Sequence, residues 1–569
     1  MSNTLQQQTT LNRNPKVWIK DAWGLAKPYW TSEHKNKSIL LLTMVIIFNL
    51  LVVFMSVMFN KWYNGFYNAI QHYDKAKFIH AIYKFTIMAV FYIGFQVFAY
   101  YFKSILEIKW RRWATKYYID KWCAKKAYYK TMFAGVVSDN PDQRISADIN
   151  SFIVMVLDLS LGLMNSIVTL CSFSVILWQI SGSLKFAIYG YHFVIPGYML
   201  FAAILYAIVG TYIIFKIGRP LIKLNYEQQV YEANFRFGLM RVREHAENIA
   251  FYNGEEIEKH NLLQKFTNVV DNFVAIIYRQ IKLDIFSVAY DQIANIFPIV
   301  VASPRYFAKV IQLGDLMQIA KAFSSVQDAL SYFINSYTSL AGLRATMDRL
   351  YGFEKIITTA DSLDVLPTKL GTNYLELKNL QVNLPNGNNL LSNINIILSS
   401  GDRLLIRGKS GMGKTTLLRT LAGLWSFANG DILQKPGLTS LFIAQKPYLP
   451  IASLSDAIAY PNKTSDNIDH SLLIQVLKEC GLGHLQDNLD LEDNWSNKLS
   501  LGEQQRVGFC RILLNAPDIV YLDEATSALD EESEELMYTL LIAKLPNSVI
   551  VSVGHRSTIK KWHTQELQF

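Results

Sequence analysis

"DRLLIRGKSGMGKTTLL", residues 402–418, decides how the last third of the chain folds. Gly408, Lys409, Ser410, Gly411, Met412, Gly413, Lys414 and Thr415 spell a complete G-x-x-x-x-G-K-[ST] loop. The apolar run at 404–406 predicts a strand leading into it, and 415–422 predicts a helix leading out. The glycines let the backbone wrap phosphate oxygens with N–H donors, and the helix N-terminus adds its positive end. Lys414 is placed to reach the outer phosphates of a nucleotide and the Thr415 hydroxyl to ligate Mg²⁺, with Thr416 following in the first helical turn. ATP with Mg²⁺ is the expected cofactor pair.

A second stretch completes that chemistry. In "DIVYLDEATSALD", residues 518–530, an apolar strand at 519–522 ends in Asp523, set to hold Mg²⁺ directly or through water. Glu524 follows at once and is the candidate general base for an attacking water. Alone, the two carboxylates read equally well as an acidic strand end. The intact phosphate loop upstream tips the reading to catalysis. From residue 373 onward, short β-like runs alternate with turn residues, "YLELKNLQV", "PNGNN" and "LLSNINIIL", as an α/β nucleotide-binding domain requires.

Towards the N-terminus the composition changes. Hydrophobic residues make up 51% of the chain and charged ones 18%, too apolar for an ordinary soluble protein, so a membrane part is expected. Runs at 38–59, 79–106, 152–180, 193–217, 285–301 and 316–340 are six candidate spans of about 30 Å of hydrocarbon, the last two interrupted by Asp291 and Asp328. Basic residues gather in two long links. Lys109, Arg111, Arg112, Lys116 and Lys121 follow the second span, and Arg219, Lys223, Arg236, Arg241 and Arg243 follow the fourth. The link near 181–191 holds only Lys185. The positive-inside rule puts the long links and both termini in the cytoplasm, where six spans also deliver the nucleotide-binding part. The net charge of +9 is thus a matter of topology, and nucleic acid is not an expected partner. The polar N-terminus lacks the apolar core of a cleaved leader. Cys123, Cys171, Cys480 and Cys510 show neither CxxC pairing nor metal-ligand spacing. The expected fold is an α-helical polytopic membrane domain followed by an α/β P-loop domain. Its parts are an N-terminal cytoplasmic segment (1–37), the transmembrane domain (38–342), a linker (343–372) and the nucleotide-binding domain (373–569).

From residue 374 to the end, the chain resembles ATP-binding cassette (ABC) nucleotide-binding domains, with the motifs in that family's order. Gln445 in "FIAQKPYLP" matches the Q-loop, which the resemblance implies contacts Mg²⁺ and senses the membrane domain. "KLSLGEQQR", residues 498–506, matches the signature loop, usually LSGGQ. Ser500 and Gly502 keep that pattern, while Leu501 replaces its first glycine and Glu503 its glutamine. The resemblance implies that Ser500, Gly502 and Glu503 meet the ATP held by a second subunit. Gly502 must stay small for that approach, whereas a side chain at Leu501 can point away. Residues 527–530 match the D-loop, and His555 in "SVGHR" matches the switch histidine at the γ-phosphate. The family's adenine-stacking aromatic is missing, with Leu384 of "LQVNLPNGN" in its place.

The membrane half is similar to two related groups. "NPDQRISADI" (140–149) and "YEANFRFGLMRVREHAENIAFYNGEEIE" (231–258) resemble the cytoplasmic links of the peroxisomal acyl-CoA transporters, subfamily D, and of the bacterial BacA/SbmA-related ABC proteins that take up peptides and cobalamin. Residues 303–337 are closer to the bacterial group. The resemblance implies an exporter-type half-transporter with six transmembrane helices and coupling contacts near 137–144 and 247–256. It further implies a homodimer in a bacterial inner membrane, with two composite ATP sites moving a bulky hydrophilic solute such as cobalamin or a peptide inward. Fatty acyl-CoA or lipid transport is one alternative. A proton-driven carrier with a regulatory ATPase domain is another, and it draws attention to Asp158, Asp284, Asp291 and Asp328. These acids either line a polar cavity or are salt-bridged. A soluble ABC ATPase acting on nucleic acid is excluded by the spans.

Overall fold

The computed structural model describes residues 15–133, 140–188, 191–409, 411–462 and 469–569. The chain divides into two compact units, Met1–Lys121 with Asp139–Lys355 and Trp122–Ser138 with Ile356–Phe569.

Helices build the first unit: α1 (Pro15–Trp30), α2 (Lys35–Gln71), α3 (Lys75–Cys123), α4 (Ile149–Ser181), α5 (Tyr198–Glu244), α6 (Glu255–Phe307), α7 (Leu313–Asn335) and α8 (Tyr337–Asp361). Among the described residues, five helical stretches, those containing α2 to α6, are long and apolar enough to cross a membrane. At 49, 47 and 53 residues, α3, α5 and α6 far exceed the roughly 20 residues that hydrocarbon requires. Their surplus forms the long basic links as continuous helix. The fourth span starts later than the sequence suggested. Tyr191–Pro196 pairs antiparallel with Ser183–Ile188 as a hairpin, β1 and β2, and α5 begins only at Tyr198.

The expected sixth span, 316–340, folds as α7 and the start of α8 but is not among the five. Asp315, Gln318, Lys321, Gln327 and Asp328 make it too polar. Those polar groups serve packing, because α7 lies against α2, α4, α5 and α6. Asn60, Asn64 and Asn68 stand four residues apart on one face of α2. Asn60 and Gln318 exchange hydrogen bonds at 3.1 Å, and Asn64 Nδ2 donates to Asp315 Oδ1 at 2.6 Å. The Gly314 N–H donates to Asn68 Oδ1 at 2.8 Å. Gly314 permits this approach, since a Cβ there would lie 2.1 Å from the Asn64 carbonyl oxygen. Gly314→Val is therefore expected to cost about 1–3 kcal/mol by overpacking. Thermal unfolding of the detergent-solubilised protein reads this as a lower midpoint, and an unchanged midpoint would refute the contact.

The second unit holds β3 (Thr368–Leu370), β4 (Leu375–Asn383), β5 (Asn389–Leu398), β6 (Arg403–Arg407), α9 (Lys414–Leu421), β7 (Ala428–Gln434) and β8 (Ser440–Ile443). It continues with α10 (His470–Glu479), α11 (Leu501–Asn515), β9 (Ile519–Asp523), α12 (Glu531–Lys544), β10 (Val549–Val553) and β11 (Gln565–Gln568). A five-stranded parallel sheet runs β11-β6-β10-β9-β8, and a four-stranded sheet runs β3-β7-β4-β5. The central strands are buried on both faces and so read as near-continuous apolar runs. Leu404, Ile406, Ile519, Tyr521, Val549 and Val551 enter one core, while Leu405, Val520, Leu522 and Ile550 enter the other. This alternation is the two-residue side-chain period of a strand. The register sets Ile406 beside Val553, and Val553 beside Asp523. The segments leaving β6, β9 and β10 therefore emerge together at the carboxyl edge, where open α/β sheets bind ligands.

Candidate functional site

The phosphate loop leaves β6 at Gly408 and enters α9 at Lys414. Gly413 has φ +91°, a conformation strained for any side chain, and a Cβ there would come within 2.6 Å of Leu390. Ser410 lies outside the described residues. Lys409 contributes its carbonyl, Gly411 adopts φ +84°, and Met412 is exposed. The Lys414 side chain is buried, and its three donors are all engaged. They reach the Gly408 carbonyl at 2.7 Å, the Lys409 carbonyl at 3.2 Å and His555 Nε2 at 2.9 Å. His555 Nε2 is thus placed against the Lys414 ammonium. Thr416 follows Thr415 in the first turn of α9, and its carbonyl accepts from the Thr420 hydroxyl at 2.9 Å.

Thr415 Oγ1 donates to Asp523 Oδ1 at 3.1 Å. Mg²⁺ holds its oxygens octahedrally at about 2.0–2.1 Å, which puts neighbouring ligand oxygens roughly 3 Å apart. The pair already has that spacing, so the residues fit the ion. Burial raises the Asp523 carboxyl above its usual range, against the opposing Thr415 hydrogen bond. A divalent cation would favour its ionised form. Among the described residues no three His, Cys, Asp or Glu side chains gather as a metal site. Further Mg²⁺ ligands would be nucleotide oxygens, water and neutral side-chain oxygens such as that of Gln445.

Glu524 is next along the chain, in the left-handed region at φ +50°. Such a conformation costs about 1–3 kcal/mol and persists where surroundings over-determine it. Here its N–H donates to the Val553 carbonyl at 3.1 Å, and Oε1 lies 3.3 Å from His555 Nε2. Lys414, Thr415, Asp523, Glu524 and His555 thus converge from three neighbouring strand ends.

Gln445 joins the cluster through its backbone, while its side chain is exposed. The residue that ties it in is one that sequence reasoning missed. Gln505 is fully buried, and its Nε2 donates to the Gln445 carbonyl at 2.8 Å and to Ser527 Oγ at 3.1 Å. Its Oε1 accepts from the Ala528 N–H at 3.0 Å. One amide thereby links the signature helix α11, the Q-loop and the segment after Glu524. Arg556 was missed as well, and it donates to the carbonyls of Leu529 at 2.7 Å and Ser527 at 3.1 Å. In sequence, Gln505 and Arg556 read as polar residues of a solvated surface; burial separates Gln505 from that reading, and two carbonyl contacts separate Arg556.

The signature residues form a second, self-contained arrangement. Ser500 caps α11, and Glu503 answers it, so both halves of a capping box are present. The Ser500 N–H and hydroxyl donate to Glu503 Oε2 at 2.9 and 2.8 Å, and the Glu503 N–H donates to Ser500 Oγ at 3.3 Å. His484 Nε2 lies 3.0 Å from Glu503 Oε1. Burial alone would raise the Glu503 carboxyl, but the Ser500 hydrogen bonds and His484 hold it below the usual range. Glutamate in place of glutamine is therefore a strong cap and not decay. Gly502 abuts Ala528, and a Cβ there would lie 3.2 Å from its carbonyl oxygen, whereas Leu501 is exposed. Leu384 sits in the turn between β4 and β5, its N–H donating to the Asn388 carbonyl at 2.8 Å.

In the first unit, Asp158 is ion-paired with Lys103, which also lies 3.4 Å from Glu107. Asp284 accepts from Gln280 at 2.8 Å. Asp291, Asp328 and Lys321 are electrostatic neighbours across α6 and α7. Of the four acids, Asp158 follows the salt-bridge reading. Of the two coupling segments, 134–139 lie outside the described residues. Ala246–Phe251 forms a short helix with Phe251 and Tyr252 strongly exposed.

Two family descriptions match the chain: "ABC transporter transmembrane region 2" over residues 25–307 and "ABC transporter" over residues 391–527. An uncharacterized ABC transporter ATP-binding protein of Haemophilus influenzae is 40% identical, covering 97% of this chain and 92% of its own. The inner membrane ABC transporter ATP-binding protein YddA of Escherichia coli is 34% identical, covering 94% of each. The lysosomal cobalamin transporter ABCD4 of Homo sapiens is 28% identical, covering 82% of this chain and 80% of its own. A solved bacterial Atm1-family ABC exporter with ATP bound superposes at a TM-score of 0.70 over 93% of each chain, at 18% identity. That likeness gives an exporter-type fold.

Proposed function

The chain belongs to the ABC transporters, with transmembrane and ATP-binding domains fused in one polypeptide, and from that premise we propose a homodimeric importer for a bulky hydrophilic solute such as cobalamin or a peptide. ATP hydrolysis coupled to transport is the family's activity, with ATP and Mg²⁺ as its cofactors. Residues 38–342 form the membrane domain in this reading and 373–569 the nucleotide-binding domain. The bacterial inner membrane is supported by the likeness to YddA, and cobalamin by the likeness to ABCD4.

The observation that carries the reading is the separation of two half-sites. Lys414, Thr415, Asp523, Glu524 and His555 form one cluster, while Ser500 is bonded to Glu503 beside His484. One chain holds one phosphate loop and one signature, so two copies make two composite sites. Lys414 gives up its contacts to the Gly408 and Lys409 carbonyls to take phosphate oxygens. Thr415 and Asp523 would hold Mg²⁺, which would supply neutralising charge on the phosphates. Glu524 takes the proton of the attacking water. His555, between Lys414 and Glu524, orients the two against the terminal phosphate. The hydroxyl and helix N-terminus at Ser500 of the partner subunit close the site. Gln505 carries that closure to the Q-loop backbone.

Substrate-stimulated ATPase activity of the reconstituted protein tests the cargo. Cobalamin or cationic peptides are expected to raise turnover, and acyl-CoA is not. Stimulation by acyl-CoA alone would overturn the hydrophilic cargo and favour lipid transport.

A further inference from the structure

Where α1 turns into α2, the first unit holds a cavity of about 580 Å³. Lys109, Arg112 and Lys116 line one side, and their spacing of three and four residues puts them on one face of α3. Lys37 faces the same space from the first turn of α2. None of these four cations makes a salt bridge among the described residues. The lining carboxylates are fewer: Glu33, 3.6 Å from His34, and Asp120. The cavity is therefore a net cationic cradle.

Its position is equally specific. The apolar run of α2 starts at Ser38, directly after Lys37, and that of α3 ends at Leu106, three residues before Lys109. The cations thus sit at the edge of the hydrocarbon, on the side that the positive-inside rule makes cytoplasmic. Aromatic rings gather beside the cations. Tyr29 stacks on Trp110 at 5.2 Å, and Trp113 on Tyr117 at 5.0 Å. In the adjoining chain, Leu40 of α2 and Ile108 of α3 expose more than half their surface. Side-chain hydrogen bonds tie α1 to α2 and to α8. The Ser38 hydroxyl donates to Tyr29 Oη at 2.6 Å, and the Tyr351 hydroxyl donates to the Asp21 carbonyl at 2.6 Å.

We propose that this cavity binds the phosphate headgroup of an anionic phospholipid from the cytoplasmic leaflet, anchoring α1 against α3. The site is separate from the ATP cluster and independent of which solute is carried. Basic residues near an anionic membrane surface each contribute measurably, so removing three is expected to weaken binding at least about tenfold.

Native mass spectrometry of the full-length protein, released from bilayers of mixed phosphatidylglycerol and phosphatidylcholine, counts the retained lipid. The wild type is expected to retain phosphatidylglycerol, and Lys109→Gln/Arg112→Gln/Lys116→Gln to lose it, with phosphatidylcholine unchanged. Lys109→Arg/Lys116→Arg keeps the charge and is expected to keep the lipid. Equal phosphatidylglycerol retention by the triple glutamine variant would overturn the proposal. So would loss in the arginine variant, or retention of inorganic phosphate in place of the lipid.

Discussion

Glu524→Gln is expected to stop ATP turnover while leaving ATP binding intact. The substitution keeps the shape of the side chain and removes its charge and its capacity to take a proton. A positioned general base is worth about a hundredfold to ten-thousandfold in rate, and the loss should fall in that range. Binding should survive because the residues proposed to hold nucleotide, Lys414 and Thr415, make contacts that do not involve the Glu524 carboxylate. The local backbone should also survive, since the φ of +50° is enforced by the N–H bond to Val553. The check is a paired measurement, phosphate release and fluorescent-nucleotide affinity, on the same preparation. Solute uptake in proteoliposomes should fall with turnover. If uptake continues at the wild-type rate, hydrolysis is not the driving force. Loss of uptake on adding a protonophore in the presence of ATP would then point to the proton-driven carrier.

The cluster around Glu524 was legible because each part is a short motif beside a strand end. The apolar runs before Gly408 and Asp523 fixed β6 and β9, and parallel topology brought their ends together without further information. His555 entered only through the family's motif order, since a histidine after a strand has many structural uses. The sequence was less informative where burial decides. Gln505 lies fully buried in α11, between the equally polar Gln504 and Arg506, and nothing in "EQQR" marks it as the link to Gln445. In the membrane part, hydropathy described the lipid-facing helices well and α7 poorly. An interior helix spends polar residues such as Gln318 on its neighbours, which a hydropathy window counts against it. The hairpin Ser183–Ile188 with Tyr191–Pro196 was hidden for the opposite reason. Its second strand is as apolar as the helix that follows, so the boundary at Gly197 carried the only signal.

Gly502→Asp is expected to be as damaging as loss of the base, by a different route. Even a Cβ at this position would press on the Ala528 carbonyl at 3.2 Å, and a carboxylate adds negative charge to the surface that the proposed partner's phosphates approach. Losing one preorganised donor at a reacting phosphate costs about a hundredfold to a thousandfold, and replacing it with repulsion should reach at least that. Leu501→Gly removes an exposed side chain and should leave turnover within about threefold, as surface changes do. If Leu501→Gly were the more damaging variant, the departure from LSGGQ would be a functional replacement and not a tolerated one. Mixing then tests the homodimer. In a heterodimer of Gly502→Asp and Lys414→Ala chains, one composite site carries both defects and the other carries neither. Co-reconstitution should therefore restore ATPase activity that neither variant shows alone. Were the phosphate loop and signature to serve the same ATP within one chain, every site in the mixture would keep a defect and no activity would return.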